Sequence, residues 1–187
     1  VKDHYDKIYK RTKHYQGPPE DSPYYPLWKE IVSGISQGEV VLDVGCGSGQ
    51  FGELCARKGV HYTGIDYSTE GLIIANGRKP KAKYYLVDVE KDQSLIEEGN
   101  YAIATFIEFL EHIEKDIEVL SKVPTGKKVF ITGPNYEDIT HVRFFNSLEE
   151  FVARYESLIN VKKVRIASGD NSYGEEAKIF IVVGERK

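Results

Sequence analysis

The run Val40-Val41-Leu42-Asp43-Val44-Gly45-Cys46-Gly47-Ser48-Gly49-Gln50-Phe51 constrains this chain more than any other segment. Val40 to Val44 reads as a buried parallel strand, which is apolar along its length rather than alternating. The glycines at 45, 47 and 49 allow a sharp turn and a close backbone approach to a ligand. An amphipathic helix follows and points its free N–H groups at that ligand. The dinucleotide fingerprint wants glycine at the first, third and sixth places of such a loop. Here the sixth place is Gln50 and the third glycine falls one residue early. Asp43, two residues before Gly45, would repel a pyrophosphate but tolerates a cationic cofactor.

The rest of the chain sets bounds. Its 187 residues suit one domain with a sizeable core. A net charge of -4 argues against nucleic acid as the main partner. The basic runs Lys79-Pro80-Lys81 and Lys162-Lys163 are too short to change that and read as solvated faces. No apolar stretch approaches the roughly 20 residues that span a bilayer, and the polar start at Val1-Lys2-Asp3-His4-Tyr5 shows no signal-peptide core. Cys46 and Cys55 form no CxxC or zinc pattern. Two unpaired thiols imply a reducing, cytoplasmic setting.

From residue 40 onward strand and helix alternate, which predicts a parallel α/β sheet. Strands are expected over residues 40–44, 61–65, 83–87, 101–106 and 127–132, with helices over 51–58 and 69–76. Leu110, Ile113, Ile117 and Leu120 mark one face of a further helix. Ser147-Leu148-Glu149-Glu150 is a capping box. Two late strands, near 161–167 and 177–183, flank the polar turn Gly169 to Gly174, and so short a connection favours antiparallel pairing. Before residue 40 two helices are plausible, about 3–13 and 24–35, split by Gln16-Gly17-Pro18-Pro19 and rich in aromatics (Tyr5, Tyr9, Tyr15, Tyr24, Tyr25, Trp28). Such a segment either closes over a site as a lid or simply packs onto the sheet.

The glycine run resembles motif I of the class I S-adenosylmethionine (SAM)-dependent methyltransferases, whose cofactor carries an amine and a sulfonium. The resemblance implies SAM as cofactor. It also implies a Rossmann-like, seven-stranded, mostly parallel sheet with helices on both faces and an antiparallel C-terminal hairpin. Residues 1–39 are then an N-terminal helical segment and possible lid, and 40–187 the SAM-binding methyltransferase domain. In open parallel sheets ligands bind beyond the carboxyl ends of the strands, and Asp43, Asp66, Asp88 and Glu108 all fall at predicted strand ends. Gly64-Ile65-Asp66-Tyr67-Ser68 is similar to motif II. By that likeness Asp66 accepts from the ribose hydroxyls and Tyr67 lies against adenine, although an Asp there can also just cap the next helix. Leu86-Val87-Asp88-Val89-Glu90 resembles motif III. Its Asp88 would accept from the adenine amino group and the Val89 N–H would reach a ring nitrogen. Otherwise Asp88 is a solvated turn residue. Asp43 would orient the amino-acid part of the cofactor, or hold loop N–H groups, or both.

Phe106-Ile107-Glu108-Phe109-Leu110-Glu111-His112-Ile113 looks like the segment after the fourth strand in small-molecule methyltransferases related to the ubiquinone-biosynthesis O-methyltransferases. Phe106 and Ile107 would line the cofactor near its sulfonium. Glu108 and His112, at i and i+4, fit a base and its orienter, half a metal site, or purely structural groups; no metal is assigned. The polar and aromatic stretch from Gly133 to Phe145 is expected to meet the substrate. Its His141 is the candidate base, Arg143 an anion partner, and Asn135 and Tyr136 further contacts. The resulting expectation is methyl transfer to an O or N atom of a small molecule. Its rivals are a non-catalytic SAM-binding sensor or partner, an RNA or protein methyltransferase, and an NAD enzyme, the last disfavoured by Gln50 and Asp43. Neither the acceptor nor the oligomeric state follows from sequence.

Overall fold

The computed structural model describes residues 2–78, 81–168 and 177–187, so the predicted Gly169–Gly174 turn, Lys79 and Pro80 lie outside the described residues. The chain forms two compact units, Val1–Val89 and Glu90–Lys187.

The first unit opens with four short helical pieces: α1 (Lys2–Arg11), α2 (Lys13–Gln16), a 3-10 turn (Pro19–Asp21) and α3 (Tyr25–Ser33). Pro18 and Pro19 lack backbone N–H groups and hold fixed φ, which separates α2 from α3 as predicted. Leu27, Ile31 and Ile35 bury one face of the α3 segment. Then β1 (Val40–Val44), α4 (Gln50–Arg57), β2 (His61–Asp66), α5 (Thr69–Gly77) and β3 (Ala82–Leu86) follow in βαβ order. The strands lie β3-β2-β1, all parallel, with Asp43 opposite Gly64 and Asp66 opposite Leu86. The α5 helix starts where predicted because the Ser68 hydroxyl accepts the Gly71 N–H at 3.0 Å.

The second unit holds α6 (Ser94–Glu97), β4 (Ile103–Phe106), a 3-10 turn (Leu110–His112), α7 (Asp116–Ser121), β5 (Lys128–Pro134), α8 (Leu148–Tyr155), β6 (Ile159–Ser168) and β7 (Lys178–Arg186). Its strands run β4-β5-β7-β6, the first pair parallel and the last two pairings antiparallel. With the first unit's three strands this makes the seven-stranded, mostly parallel α/β fold with an antiparallel C-terminal pair. Phe145, Phe151, Tyr155 and Phe180 fill its core, with Phe151 4.8 Å from Phe145 and 5.4 Å from Tyr155 between ring centroids. Ser147 caps α8 through the Glu150 N–H at 3.2 Å, as the capping box predicted.

One expected element is broken. The apolar face through Leu110, Ile113, Ile117 and Leu120 belongs to two pieces, a 3-10 turn and α7, with Ile113 extended between them. Arg143 explains the break. Its guanidinium donates to the carbonyls of Leu110, Ile113 (2.6 Å) and Glu114 (3.3 Å), which a continuous helix would satisfy internally. A second arginine anchors the same region. Asp116, 1% exposed, accepts two bonds from Arg154 (2.6 and 2.8 Å) and one from the Tyr155 hydroxyl (2.9 Å), with Arg143 at 3.4 Å.

Burial raises the Asp116 carboxyl, but Arg154, Arg143 and Tyr155 outweigh it and hold the group below its ordinary value. A depressed acid adds stability above its unfolded pKa and loses it as pH falls through the folded value. Asp116→Ala leaves Arg154 and Tyr155 facing a buried gap. We expect it to lose about 3–5 kcal/mol at pH 7, read from urea midpoints, with a smaller loss at pH 3. An equal loss at both pH values would contradict this account.

Candidate functional site

In the first unit the glycine loop is tied to the end of β2. Gly47 N–H donates to Asp66 Oδ2 at 2.8 Å, and Ser68 N–H donates to Oδ1 at 2.8 Å. Gly45 and Cys46 N–H groups both reach the Ile65 carbonyl, at 2.9 and 3.1 Å. Gly49 has φ 74°, and a Cβ there would sit 2.7 Å from the Ala75 methyl carbon and from the Tyr84 hydroxyl. Glycine is thus demanded twice at this position, by the left-handed backbone and by the approach of α5 and β3. Burial pushes the Asp66 carboxyl up to about 6, restrained by the N–H groups of Ser68, Gly47 and Tyr67, so it is ionised at neutral pH.

The other predicted cofactor residues of this unit lie near or just beyond the ends of β1, β2 and β3. Asp43 is buried in β1 and accepts the Tyr62 hydroxyl. Tyr67 follows Asp66 and packs edge-on to Tyr5 at 5.9 Å between centroids. Val87 N–H donates to the Asp66 carbonyl at 2.9 Å, which brings half-buried Asp88 and buried Val89 just past the end of β3.

Sequence reading missed the groups that hold the N-terminal segment on this loop. Gln50, 2% exposed, donates from its amide to the carbonyls of His14 (2.7 Å), Gly17 (3.2 Å) and Pro18 (3.3 Å). Arg78 donates to Ser48 O (2.6 Å), Gly17 O (2.9 Å) and Tyr15 O (2.7 Å) and pairs with Glu53 at 3.2 Å. Gln50 carried a signal, as a buried amide where a related loop has glycine. Arg78 carried none, because its acceptors are backbone carbonyls of any residue type.

The second unit carries another cluster. Phe106 and Ile107 are buried at the end of β4. Glu108 departs from helical geometry with φ 49°, so Glu108 and His112 do not share a helix face. Instead Glu108 N–H donates to Thr132 Oγ1 at 2.7 Å, and that hydroxyl donates to Glu108 Oε1 at 2.8 Å. His112 is brought to Glu111 and His141. Its Nδ1 lies 3.1 Å from Thr140 O, and His141 Nδ1 lies 3.2 Å from Tyr136 O. A carbonyl only accepts, so in each of these contacts the imidazole Nδ1 is the donor. The rings meet at 4.8 Å between centroids, and His112 Nε2 lies 3.8 Å from Glu111 Oε1.

Both Glu111 carboxyl oxygens lack a hydrogen bond among the described residues, and the group is 1% exposed. Ligand atoms of Glu111, His112 and His141 fall within 4.8 Å of one another, a spacing compatible with one shared cation. Burial and then Glu108 push Glu111 well above the ordinary carboxyl range. Burial, followed by His141, pulls His112 down to about 4, and burial lowers His141 too. Of the predicted substrate residues, Tyr136 stacks near His141 at 5.9 Å. Asn135 Oδ1 accepts the Lys178 N–H at 2.7 Å, and Arg143 serves the backbone carbonyls described above.

Burial raises Glu108 to about 7 against the opposing Thr132 hydrogen bond. A raised acid stabilises below its unfolded pKa and loses that contribution as pH rises through the folded value. Glu108→Gln keeps the acceptor oxygen and removes the charge. Its unfolding free energy relative to wild type should therefore climb between pH 5 and 8, measured by urea titration at each pH. Parallel pH curves for the two proteins would refute the assignment.

Comparison with known proteins agrees with this architecture. A family model described as a methyltransferase domain matches residues 22–154. The ubiquinone biosynthesis O-methyltransferase of Aeromonas salmonicida is 35% identical over 118 residues, covering 58% of this chain and 48% of that protein. The enzyme of the same name from Bordetella avium is 40% identical over 90 residues, covering 46% and 37%. The chain spans about half the length of the curated relatives it matches. Among solved structures, magnesium protoporphyrin IX methyltransferase from Synechocystis PCC 6803 with bound S-adenosylhomocysteine (SAH) superposes with a TM-score of 0.77 at 13% identity. That match covers 100% of this chain and 98% of that one and is a likeness of fold. With most of its length matched by that family model, the chain belongs to the methyltransferase-domain family.

Proposed function

We propose that the protein is a SAM-dependent methyltransferase acting on an O or N atom of a small molecule in the cytoplasm. The observation that carries this reading is the Asp66 carboxylate, ionised and hydrogen-bonded to the Gly47 N–H of the glycine loop. Two oxygens held in this way keep lone pairs for a pair of neighbouring hydroxyls, which a ribose supplies. Tyr67 would lie against adenine, Asp88 and the Val89 N–H would read its edge, and Asp43 with Gly45, Gly47 and Gly49 would seat the amino-acid part. Phe106 and Ile107 would give an apolar wall at the sulfonium.

SAM supplies an electrophilic methyl group, transferred by in-line displacement at carbon. The protein then needs alignment of the acceptor, exclusion of water and, for a hydroxyl acceptor, a base. His141 is the proposed base and His112 its neighbour, their rings 4.8 Å apart between centroids. Tyr136, beside His141, and Asn135 are the proposed acceptor contacts, and Arg143 holds the carbonyls that shape this segment. The names of the curated relatives favour an oxygen acceptor. Residues 1–39 form the lid over a SAM-binding domain of residues 40–187, an assignment supported by the Gln50 and Arg78 clamps on residues 14–18.

Calorimetric titration tests the reading with SAM and NAD in parallel. Wild type should bind SAM in the ~1–100 μM range, about -8 to -5.5 kcal/mol, and ignore NAD, with Asp66→Ala losing at least about tenfold. A preference for NAD would overturn it. SAM binding without methyl transfer to any of a panel of phenols, catechols and amines would favour a SAM-binding sensor.

A further inference from the structure

The α1 helix is docked by its charges. Asp6 accepts from the Ser68 hydroxyl at 2.6 Å and the Glu70 N–H at 3.2 Å, placing a carboxylate at the N-terminus of α5, where the helix dipole favours it. Lys10 pairs with Glu70 at 2.8 Å, and Tyr5 packs on Tyr67. These contacts fix the rotation of α1 and aim the next inward residue, Tyr9, at the glycine loop. Its ring stands between Tyr5 and Tyr15, 6.4 and 5.1 Å away between centroids. A Cβ on Gly47 would fall 2.5 Å from the Tyr9 hydroxyl oxygen, and one on Gly71 would fall 3.1 Å from its ring. Gly47, at φ 52°, is therefore bare because a phenol lies on it, as well as for its backbone angle.

Resting on the SAM reading above, we propose that Tyr9 is a cofactor-binding residue whose hydroxyl donates a hydrogen bond to the carboxylate of the amino-acid part of SAM. Three observations converge on this. The hydroxyl touches the residue whose N–H also holds Asp66, so it stands at the centre of the loop and not at its rim. Burial and the Asp66 charge raise the phenol's pKa, so at neutral pH this half-buried hydroxyl is protonated and able to donate. Asp66 is assigned to the ribose hydroxyls, which are donors to it, and the carboxylate is the remaining strong acceptor of the ligand. The clamps from Gln50 and Arg78 to residues 14–18 keep the segment carrying Tyr9 seated. The N-terminal segment is thereby part of the cofactor site and not solely a cover for the acceptor.

Tyr9→Phe removes the hydroxyl and keeps the ring packing. Calorimetry of the wild-type chain and the variant with SAH and with 5′-methylthioadenosine, which lacks the amino acid, separates the possibilities. The variant should bind SAH about tenfold more weakly and methylthioadenosine equally well. Equal weakening toward both ligands would assign the hydroxyl to packing or to the nucleoside and overturn the proposal. Unchanged affinity for both would overturn it as well. Failure of wild type to bind either ligand would instead sink the SAM reading itself, a result distinct from the other two.

Discussion

The hydrogen bond from Gly47 N–H to the Asp66 carboxylate is the contact on which the placement of the first unit's glycine loop depends. It joins the loop after β1 to the end of β2, and the Ser68 N–H on the other oxygen joins the same carboxylate to the start of α5. One buried side chain thus fixes the relative placement of a strand end, a glycine loop and a helix N-terminus. The arrangement costs desolvation, visible in the upward displacement of the Asp66 pKa, and the backbone N–H groups offset enough of it to keep the group charged at pH 7.

The N-terminal segment is held by a different logic. Gln50 and Arg78 are planar, multi-donor side chains, and both spend their donors on backbone carbonyls of residues 14–18. The broken stretch around Gly17-Pro18-Pro19 presents the carbonyls of His14, Tyr15 and Gly17 to these side chains, since α2 ends at Gln16 and the prolines donate nothing. Helix breakers in the segment and buried donors in the domain are therefore complementary parts of one attachment. Position 50 illustrates the exchange. Where a dinucleotide loop has a glycine to admit a helix, this loop has an amide that captures a strap.

Much of this was legible in the sequence because it rests on period and punctuation. The apolar run at Val40–Val44, the alternation of strand and helix, and the caps at Ser68 and Ser147 are local signals, and each element formed within a few residues of its expected place. The helix expected through Leu110 to Leu120 was not legible. Its interruption is dictated by Arg143, some thirty residues away, competing for main-chain carbonyls. The one-turn α6 helix at Ser94–Glu97 is too short for any periodicity to announce, and its single buried residue, Ile96, is what places it. The His112, His141 and Glu111 cluster escaped for the same reason. Adjacent glutamate and histidine are ordinary in sequence, and only tertiary structure shows that a loop returns a second histidine to them.

Asp66 and Glu111 show how the fold assigns charge. Both are carboxyls almost wholly removed from water. Asp66 receives backbone N–H groups on both oxygens and titrates near 6. The Glu111 carboxyl oxygens have no well-formed hydrogen bond among the described residues, and burial, with half-buried Glu108 nearby, drives the group far higher. At neutral pH the first is an anion suited to gripping hydroxyls, and the second is an acid beside two neutral imidazoles. The two buried carboxyls therefore differ in charge at neutral pH. Well-placed backbone N–H groups on both oxygens keep Asp66 ionised, whereas at Glu111 burial and the neighbouring Glu108 outweigh the backbone.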